Sequence, residues 1–512
     1  MADCYVDHIL RARVYDVARE SALTRAPRLS QRLNNQILLK REDEQTIFSF
    51  KLRGAYNKIY SLDAAGRAQG VIAASAGNHA QGVALAGHRL QVPTTIVMPG
   101  TTPGIKVDNV SRLGGKVILH GDTYDQANQF AQQQAMAQQL SFIHPFDDPD
   151  VIAGQGTIGA EIVRQHVDPI AAIFVPVGGG GLIAGIAAFI KQVRPEIKII
   201  GVEPEDAPTL CRALAVGKPV CLDQVGLFAD GVAVQQIGTE TFRVAKDLVD
   251  EVVLVSTDQI CAAIKAIFED TRTVAEPAGA LAVAGISRYL AQHPLQDQTL
   301  IAILSGANIN FERLQHVGER TEVGEQREAL LAVQIPEQPG SFLQFCQALN
   351  THNITEFNYR YADQQSAQVF CGVTLSPGKD DAVHLVAELR AQGYTAVDMT
   401  DNEVARSHIR YMVGGAAPQV TDERIYRFTF PERPGALLNF LSGLSNRWNI
   451  SLFHYRNHGA AYGRVLVGIQ LPAQTRQCFE ATLVEAGYEI VDETDNPAYR
   501  LFAQAGVSVQ TG

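Results

Sequence analysis

Short apolar runs alternate with amphipathic stretches along about the first 320 residues of the chain. Within the runs, apolar and polar positions hardly alternate, which is typical of strands buried on both faces of a sheet. The runs predict strands at 37–40, 70–74, 94–98, 116–120, 171–177, 198–203, 251–255 and 299–304. Helical periodicity predicts helices between them, for example at 77–90, 123–139, 155–166 and 257–268. This order predicts an α/β fold with a parallel sheet, whose ligands bind beyond the carboxyl ends of the strands.

The rest of the chain has a different pattern and contains an internal repeat. Pro-Glu-Gln-Pro-Gly at 336–340 is matched 95 residues later by Pro-Glu-Arg-Pro-Gly at 431–435. An Asn-Ile pair at 353–354 is matched 96 residues later by a second Asn-Ile pair. Each copy has the order strand, helix, strand, strand, helix, strand, which is the split βαβ pattern.

The repeat also predicts how the chain is divided. At 512 residues the chain exceeds the usual size of one domain. We predict a first domain at 1–322 and two α+β repeat units at 323–415 and 421–512. Residues 323–329 and 416–421 are expected to be linkers.

Composition and charge are those of an ordinary globular protein. The chain is 46% hydrophobic and has a net charge of −11 without a long basic run, so nucleic acid is not an expected partner. Seven dispersed cysteines without a C-x-x-C motif, and an acidic N-terminus unlike an export signal, predict a cytoplasmic protein. An uncharged stretch at 169–190 could span a membrane, but Pro176 and four glycines divide it. We therefore expect a strand, a loop and a helix there, and no membrane association.

Lys51 lies between apolar residues in Ser-Phe-Lys-Leu-Arg-Gly-Ala at 49–55. A lysine that serves as nucleophile or base must lose its proton readily, and an apolar environment lowers its pKa. Phe50 and Leu52 supply that environment, and Gly54 permits close approach of another backbone. A lone lysine is usually a solvated surface charge, so a catalytic role for Lys51 depends on the other motifs.

Four consecutive glycines separate the strand predicted at 171–177 from a helix. This glycine loop consists of Gly178, Gly179, Gly180 and Gly181. Consecutive glycines expose N–H groups that can bind a phosphate at a helix N-terminus. The spacing of Gly179, Gly181 and Ala184, with Glu203 about 20 residues on, also fits a dinucleotide fingerprint. A nicotinamide-dependent dehydrogenase is therefore an alternative, although it leaves the other motifs unexplained.

Two further polar segments follow predicted strands. Ser-Ala-Gly-Asn-His-Ala-Gln-Gly at 75–82 opens a helix whose first N–H groups suit a substrate carboxylate. Ser-Gly-Ala-Asn at 305–308 follows the strand predicted at 299–304. Either serine could instead be a plain helix cap. The candidate substrate-binding residues are Ser75, Ala76, Gly77, Asn78 and His79.

In this order, and with Lys-Arg-Glu-Asp at 40–43, these segments resemble the serine/threonine dehydratase family of pyridoxal-phosphate enzymes. The resemblance implies the fold-type-II architecture of tryptophan synthase β and pyridoxal 5′-phosphate as the cofactor. It implies that Lys51 binds the cofactor covalently and acts as base, with Ser75 opposite it near the substrate α-carbon. It places Asn78 at the ring hydroxyl and Ser305 at the ring nitrogen. The other cofactor-binding residues that it implies are Phe50, Gly178, Gly179, Gly180, Gly181 and Leu182.

The sequence leaves the roles of two acidic residues open. Glu276, in Ala-Glu-Pro-Ala-Gly-Ala at 275–280, matches a family motif near the cofactor but fits a helix N-terminus equally well. Some family members bind a divalent cation through an acid, a backbone carbonyl and a second acid. Glu203 and Ala207 match the first two ligands, but Thr209 replaces the second acid, so no metal is expected.

The two repeat units resemble ACT-like regulatory domains, and the whole chain resembles the biosynthetic threonine ammonia-lyase family. Members convert L-threonine into 2-oxobutanoate and ammonia on the way to isoleucine, and isoleucine inhibits them while valine activates them. The resemblance implies these effectors and a homotetramer. The candidate regulatory residues are Tyr359, Arg360, Phe440, Leu441 and Tyr455.

Three alternatives stay open beside this interpretation. A serine-preferring dehydratase or a racemase would use the same cofactor residues, with L-serine as substrate, but the doubled repeat argues against both. A sensor of amino acids without catalytic activity would not need Lys51, Asn78 and Ser305. The repeats could also be packing modules that bind no effector.

Overall fold

The computed structural model describes residues 3–311, 313–324, 328–336, 345, 348, 349, 352, 354–361, 366–375, 381–409, 422–431, 448–456, 462–485 and 488–502. The chain divides into two compact units, Met1–Val317 and Gly318–Gly512. The strands are β1 Leu23–Arg25, β2 Gln36–Arg41, β3 Val71–Ala74, β4 Thr94–Met98, β5 Lys116–Leu119, β6 Ser141–Phe142, β7 Ala172–Pro176, β8 Lys198–Pro204, β9 Glu251–Val255, β10 Thr299–Leu304, β11 Glu328–Pro336, β12 Ile354–Tyr361, β13 Ser366–Thr374, β14 Thr395–Asp398, β15 Glu423–Pro431, β16 Asn449–Arg456, β17 Tyr462–Gln470 and β18 Glu489–Asp492. The helices are α1 Asp3–Arg11, α2 Pro27–Leu33, α3 Lys51–Ser61, α4 Ala64–Gln69, α5 Asn78–Leu90, α6 Gly104–Arg112, α7 Tyr124–Gln138, α8 Pro149–Gln165, α9 Gly181–Val193, α10 Thr209–Val216, α11 Thr239–Ala245, α12 Thr257–Thr271, α13 Pro277–Gln292, α14 Arg313–Gly324, α15 Ala382–Ala391, α16 Glu403–Ser407, α17 Arg476–Glu485 and α18 Pro497–Phe502.

The strands of the first unit form two separate sheets. Six strands pair in the order β1-β2-β10-β7-β8-β9, and only the β1–β2 pair is antiparallel. Four strands pair in the order β5-β4-β3-β6, all of them parallel. The predicted strand positions and parallel direction are confirmed, and the division of these strands into two sheets was not predicted. Strand pairing is decided by long-range packing, which the apolar pattern does not contain.

Helices cover both faces of the six-stranded sheet. On β7, Phe174 packs in one buried cluster, which includes Leu281 of α13. Its neighbours Ile173 and Val175 pack in a second cluster on the other face, with Ile186 of α9. Successive side chains of a strand point to opposite faces, so a strand covered on both sides must be apolar at every position. This explains why the apolar runs do not alternate.

Several elements differ from the sequence prediction. Helix α8 begins at Pro149, six residues before the predicted start, because the Asp148 carboxylate accepts hydrogen bonds from the backbone N–H groups of Asp150 (2.8 Å) and Val151 (3.3 Å). The short elements α1, α2, β1 and β6 were not predicted. The linker predicted at 323–329 is shorter, because α14 continues to Gly324 and β11 begins at Glu328.

The second unit contains two antiparallel sheets of the same topology. Their strand orders are β12-β13-β11-β14 and β16-β17-β15-β18, which confirms the duplicated α+β pattern. Both copies have a register shift near the start of their second strand, between Ile354 and Glu356 and between Ile450 and Leu452. The helix predicted after each Pro-x-x-Pro-Gly lies largely outside the described residues. A short helix that was not predicted follows the last strand of each copy, α16 in the first and α18 in the second.

A shared apolar cluster joins the two copies. Leu330 and Phe370 of the first copy pack with Ile425, Leu466 and Tyr499 of the second, and all five are buried. The two copies therefore share this one core. Each copy also has a core of its own on the helical side of its sheet.

Helices α8 and α9 approach closely at glycines. A Cβ atom on Gly185 of α9 would lie 2.7 Å from the backbone nitrogen of Gly156 and would also collide with the carbonyl oxygen of Ile152. Both obstacles are backbone atoms that cannot move aside. The contact matters for the cleft because α9 begins within the glycine loop.

We predict that Gly185→Ala destabilises the first unit by about 1–3 kcal/mol, because it overpacks this contact. The measurement is the midpoint of urea unfolding followed by circular dichroism. Gly104→Ala, in α6, is the matched control because a Cβ atom there has no heavy atom within 4 Å. Equal midpoints for both variants would contradict the prediction.

Candidate active site

Loops from both sheets of the first unit meet in one cleft. Of the predicted residues, the cleft brings together Phe50, Lys51, Asn78, Gly178, Gly179, Gly180, Gly181, Leu182, Ser305 and the open candidate Glu276. It is also lined by residues that the sequence did not indicate: Phe146, Pro176, Gly231, Val232 and Ala278. Phe146, Gly231 and Val232 come from irregular loops without a motif, so no sequence signal pointed to them.

An ion pair joins the two sides of this cleft. Lys106 lies on α6, which packs on the four-stranded sheet, and its Nζ is 3.0 Å from Asp230 Oδ2. Asp230 immediately precedes Gly231 and Val232 of the cleft wall. The Arg313 guanidinium, 3.5 Å away, provides Asp230 with a second cationic neighbour.

Lys51 is the first residue of α3 and points into the cleft. Its Nζ donates a hydrogen bond to the carbonyl oxygen of Pro145 at 3.2 Å and lies 5.3 Å from the centre of the Phe50 ring. Burial lowers the pKa of Lys51 to about 8, although the Glu276 carboxylate partly opposes this shift. A substantial fraction of this amine is therefore neutral near physiological pH, as a nucleophile or base requires.

The glycine loop leads into α9, with Gly180 as its N-cap at φ = 89°. Its carbonyl groups are held by Thr209, whose hydroxyl donates to Gly178 at 2.8 Å, and by Thr241, whose hydroxyl donates to Gly179 at 2.7 Å. The first N–H groups of a helix have no partner within the helix and form an anion-binding site. This end of the cleft is therefore suited to a phosphate.

Neighbouring backbone and side-chain atoms require glycine at these positions. A Cβ atom on Gly178 would lie 2.8 Å from the Cα of Val232, and one on Gly179 would enter the Phe146 ring. Phe146 is itself held by Asp147, which caps α11 by accepting hydrogen bonds from Glu240 N–H (2.8 Å) and its neighbours.

The segment from Ser75 to His79 lies at the N-terminus of α5, and among its five candidates only Asn78 lines the cleft. The Ser75 hydroxyl accepts a hydrogen bond from Gly77 N–H at 3.2 Å. His79 is buried, and its Nε2 lies 2.9 Å from the carbonyl oxygen of Ile143. Burial, reinforced by nearby Lys51, lowers the pKa of His79 to about 3, so its ring is neutral. Binding of a substrate carboxylate by this helix N-terminus stays a prediction.

Glu276 lies in the cleft rather than acting as a helix cap. Although it precedes α13, its side chain does not cap that helix. Its Oε1 accepts a hydrogen bond from Asn78 Nδ2 at 2.7 Å, and its Oε2 accepts one from Asn308 N–H at 3.1 Å. Burial, and after it the Asp230 charge, raises the pKa of Glu276 to about 7.

Ser305 directly follows β10 and connects the walls of the cleft. Its Oγ lies 3.4 Å from the carbonyl oxygen of Ala278, and its own carbonyl accepts a hydrogen bond from Phe50 N–H at 3.3 Å. Ala307 N–H donates to Phe48 at 2.9 Å. The residues that immediately precede Lys51 are therefore held by the segment that presents the Ser305 hydroxyl.

Behind Lys51 lies a cluster of four charged side chains, Lys40, Glu42, Arg53 and Glu161, none of them exposed. Glu161 is 2.6 Å from both Lys40 Nζ and Arg53 Nη1, and Arg53 Nη2 is 2.8 Å from Glu42. Burial works against the charge of Arg53, but Glu42 and Glu161 raise its pKa. Burial lowers the pKa of Lys40. Sequence reasoning missed these pairs, since Glu161 is more than 100 positions from Lys40 and from Arg53.

Glu203 is occupied by contacts within the protein. Its carboxylate accepts hydrogen bonds from the Thr209 hydroxyl (2.9 Å) and from the N–H groups of Leu210 (2.7 Å) and Cys211 (2.9 Å) at the start of α10. Burial raises its pKa to about 7. Within the described part of the chain, no group of three or more His, Cys, Asp or Glu residues could hold a metal ion.

The candidate regulatory residues lie in the second unit. Tyr359 and Arg360 are on β12, and Tyr455 is on the equivalent strand β16. Tyr359 pairs with Val369, and Tyr455 pairs with Val465. Phe440 and Leu441 lie outside the described residues. Among the helices of the described residues, none is long and apolar enough to cross a membrane.

Family models match both units. The model described as pyridoxal-phosphate dependent enzyme matches residues 14–306. The model described as the C-terminal regulatory domain of threonine dehydratase matches twice, at 319–409 and 414–503.

Individual relatives and solved structures are also similar to the chain. The biosynthetic L-threonine dehydratase of Burkholderia multivorans is 55% identical over 97% of this chain and 99% of its own length. The solved structure of the processed form of threonine deaminase isoform 2 from Solanum lycopersicum is 50% identical, with a TM-score of 0.62, over 63% of this chain and 88% of that chain. Maize serine racemase is 30% identical, with a TM-score of 0.57, over 61% of this chain and 95% of that chain.

The lowered pKa of Lys51 predicts a particular pH dependence of its chemical reactivity. In cofactor-free protein, acetylation of Lys51 by acetic anhydride should reach half of its maximal rate near pH 8, because only the neutral amine reacts. Lys58 of the same helix is the control. Burial works against its charge, but Asp148 and Asp150 raise its pKa above the usual 10.5. Rates measured by mass spectrometry that rise at the same pH for both lysines would contradict this assignment.

Proposed function

This chain belongs to the pyridoxal-phosphate-dependent threonine dehydratases, and from this premise we propose that it converts L-threonine into 2-oxobutanoate and ammonia. The family and the cofactor predicted from the sequence are confirmed by the matches over both units. The observation that supports the proposed activity most directly is the convergence of Lys51, Asn78, the glycine loop and Ser305 in one cleft.

The residues of the cleft suit pyridoxal 5′-phosphate. When bound, this cofactor withdraws electrons from the α-carbon of an amino acid and so makes its proton acidic. We propose that the Lys51 amine binds the cofactor aldehyde, and that the N–H groups of the glycine loop and Leu182 bind its phosphate. Asn78 would donate to the ring hydroxyl, and Ser305 would contact the ring nitrogen. Because a hydroxyl carries no charge, Ser305 does not stabilise a protonated ring nitrogen as a carboxylate would.

The same residues account for the proton movements of an elimination. The neutral Lys51 amine accepts the proton from the substrate α-carbon as a general base, which its pKa of about 8 permits at neutral pH. The N-terminus of α5, from Ser75 to His79, holds the substrate carboxylate. The buried, neutral His79 adds no charge there. The β-hydroxyl then takes up a proton and leaves as water. The released enamine tautomerises to an imine, and hydrolysis of this imine yields 2-oxobutanoate and ammonia.

A serine-preferring dehydratase or a racemase is the second candidate, since maize serine racemase shares the catalytic fold. The regulatory part favours threonine dehydration, because both repeat units match the regulatory domain of threonine dehydratase. Relative rates with L-threonine and L-serine distinguish the two candidates.

We also propose that the second unit binds isoleucine as inhibitor and valine as activator, near the Pro-x-x-Pro-Gly segments and the Asn-Ile strands. Feedback inhibition requires two states with different effector affinities, and a homotetramer would couple them. We place the protein in the cytoplasm. Support comes from the five free cysteines among the described residues: Cys211, Cys221, Cys261, Cys371 and Cys478.

Replacement of the general base tests the proposed chemistry. Lys51→Ala should reduce the initial rate of 2-oxobutanoate formation from L-threonine by at least about 100-fold, because base catalysis is lost. Lys58→Ala, about two helical turns further along α3, is the matched control and should retain its rate. Substantial turnover by Lys51→Ala would reject the proposed role of Lys51, and no turnover by the unsubstituted holoenzyme would reject L-threonine as substrate.

The regulatory proposal predicts that isoleucine lowers this rate and that Leu441→Phe weakens the inhibition. An altered effector site should raise the isoleucine concentration for half inhibition by about tenfold without loss of basal activity. The measurement is the initial rate over a series of isoleucine concentrations, with and without valine. Unchanged inhibition of Leu441→Phe would reject this placement of the effector, and a rate insensitive to isoleucine would reject the effector itself.

A further inference from the structure

Three polar side chains form a closed hydrogen-bonded arrangement at one wall of the cleft. Asn78 Nδ2 donates to Glu276 Oε1 at 2.7 Å, and Asn308 Nδ2 donates to Asn78 Oδ1 at 2.7 Å. Asn308 N–H donates to Glu276 Oε2 at 3.1 Å. This Asn–Glu–Asn ring joins α5, the residue before α13 and the segment after β10.

Counting donors and acceptors fixes which way the Asn78 amide faces. A side-chain amide has two N–H donors on nitrogen and an acceptor oxygen. Asn308 Nδ2 also donates to the carbonyl oxygen of Ile47 at 2.7 Å, so both of its N–H groups have acceptors. Asn308 Nδ2 can therefore form its second hydrogen bond only with the amide oxygen of Asn78. The nitrogen of Asn78 must then face Glu276, which accepts from it.

The opposite orientation of Asn78 would be repelled at both contacts. A flipped amide would bring its N–H groups against those of Asn308 and its oxygen against the Glu276 carboxylate. Buried polar groups without a partner are costly, and the clash with the Asn308 N–H groups arises in either protonation state of Glu276. The orientation is therefore imposed by the chain itself before any ligand binds.

Close packing prevents the Glu276 carboxylate from moving away. Its side chain is 5% exposed, and a Cβ atom on Gly306 would lie only 2.5 Å from its Oε1. The backbone N–H of Glu276 donates to the Gly306 carbonyl at 3.2 Å. Both the side chain and the backbone of Glu276 are therefore held in place, which fixes the position of the Oε1 that accepts from Asn78.

We propose that Glu276 and Asn308 are positioning residues that hold Asn78 as a hydrogen-bond donor toward the cleft. One N–H of Asn78 is bound to Glu276, and the second remains for an acceptor oxygen in the cleft that Asn78 lines. With the proposed cofactor, that acceptor is the oxygen on its ring, and donation stabilises the anionic form of this oxygen. The inference rests on the proposed use of pyridoxal phosphate, but it does not depend on the substrate.

A double-mutant cycle on cofactor binding tests this inference. Glu276→Gln should weaken pyridoxal phosphate binding by the full chain about tenfold and shift the visible absorbance of the bound cofactor, because an amide cannot accept from both Asn78 and Asn308. In the Asn78→Ala background, the same substitution should have little further effect, because the residue that it positions is absent. Equal weakening in both backgrounds, or none in either, would overturn the inference.

Two further variants separate positioning from stability. Asn308→Ala should also weaken binding in the native background and not in the Asn78→Ala background, which provides a second test if Glu276→Gln fails to fold. The matched control is Asp270→Asn, since the Asp270 carboxylate also accepts two hydrogen bonds, from the backbone N–H groups of Arg28 (2.9 Å) and Leu29 (3.0 Å), but lies outside the cleft lining. Its cofactor affinity and absorbance should be unchanged. Since all readouts are cofactor binding, failure to turn over L-threonine would refute the proposed activity without affecting this test.

Discussion

The placement of Lys51 depends on a buried cluster of two cations and two carboxylates. Arg53 lies on the same helix as Lys51, two residues on, and its guanidinium binds both Glu42 and Glu161. Lys40 connects β2 to the cluster, and Glu161 connects α8 to it. Lys40 Nζ also donates a hydrogen bond to the carbonyl oxygen of Ser21 at 2.7 Å. Removing one partner of such a cluster leaves an uncompensated buried charge, which typically costs about 3–5 kcal/mol. The first turn of α3 is therefore fixed to the sheet by charge as well as by apolar packing.

From this fixed point, the cleft is assembled by contacts between segments that are far apart in the chain. The backbone around Lys51 is held by the segment after β10, and that segment is held by Glu276 and its neighbours. Each of these contacts joins the end of one element to the start of another. Lys51 and Asn78 are the first residues of α3 and α5, and Ser305 directly follows β10. These side chains of the cleft therefore lie at the ends of rigid elements, which limits their movement.

The sequence revealed the local parts of this arrangement much better than the non-local ones. Strand β10 was predicted at its observed position because its residues from Leu300 to Leu304 are all buried and all apolar. The glycine loop was recognisable because its four glycines are consecutive in the sequence. In contrast, the ion pair between Lys40 and Glu161 and the division into two sheets depend on partners distant in sequence. Glu276 fitted two roles equally well, because only the folded chain brings Asn78 and Asn308 to its carboxylate.

The core shared by the two repeat units has a consequence for the evolutionary origin of the second unit. A chain with a single repeat would expose to water the face formed by Leu330, Ala332 and Phe370, and an identical repeat on another chain would offer a similar face. Such a chain would dimerise only above a threshold concentration. Tandem fusion replaces that association by an intramolecular one, with an effective concentration on the order of millimolar for a short linker. Both copies then stay paired at any cellular abundance, and each is free to accumulate its own substitutions.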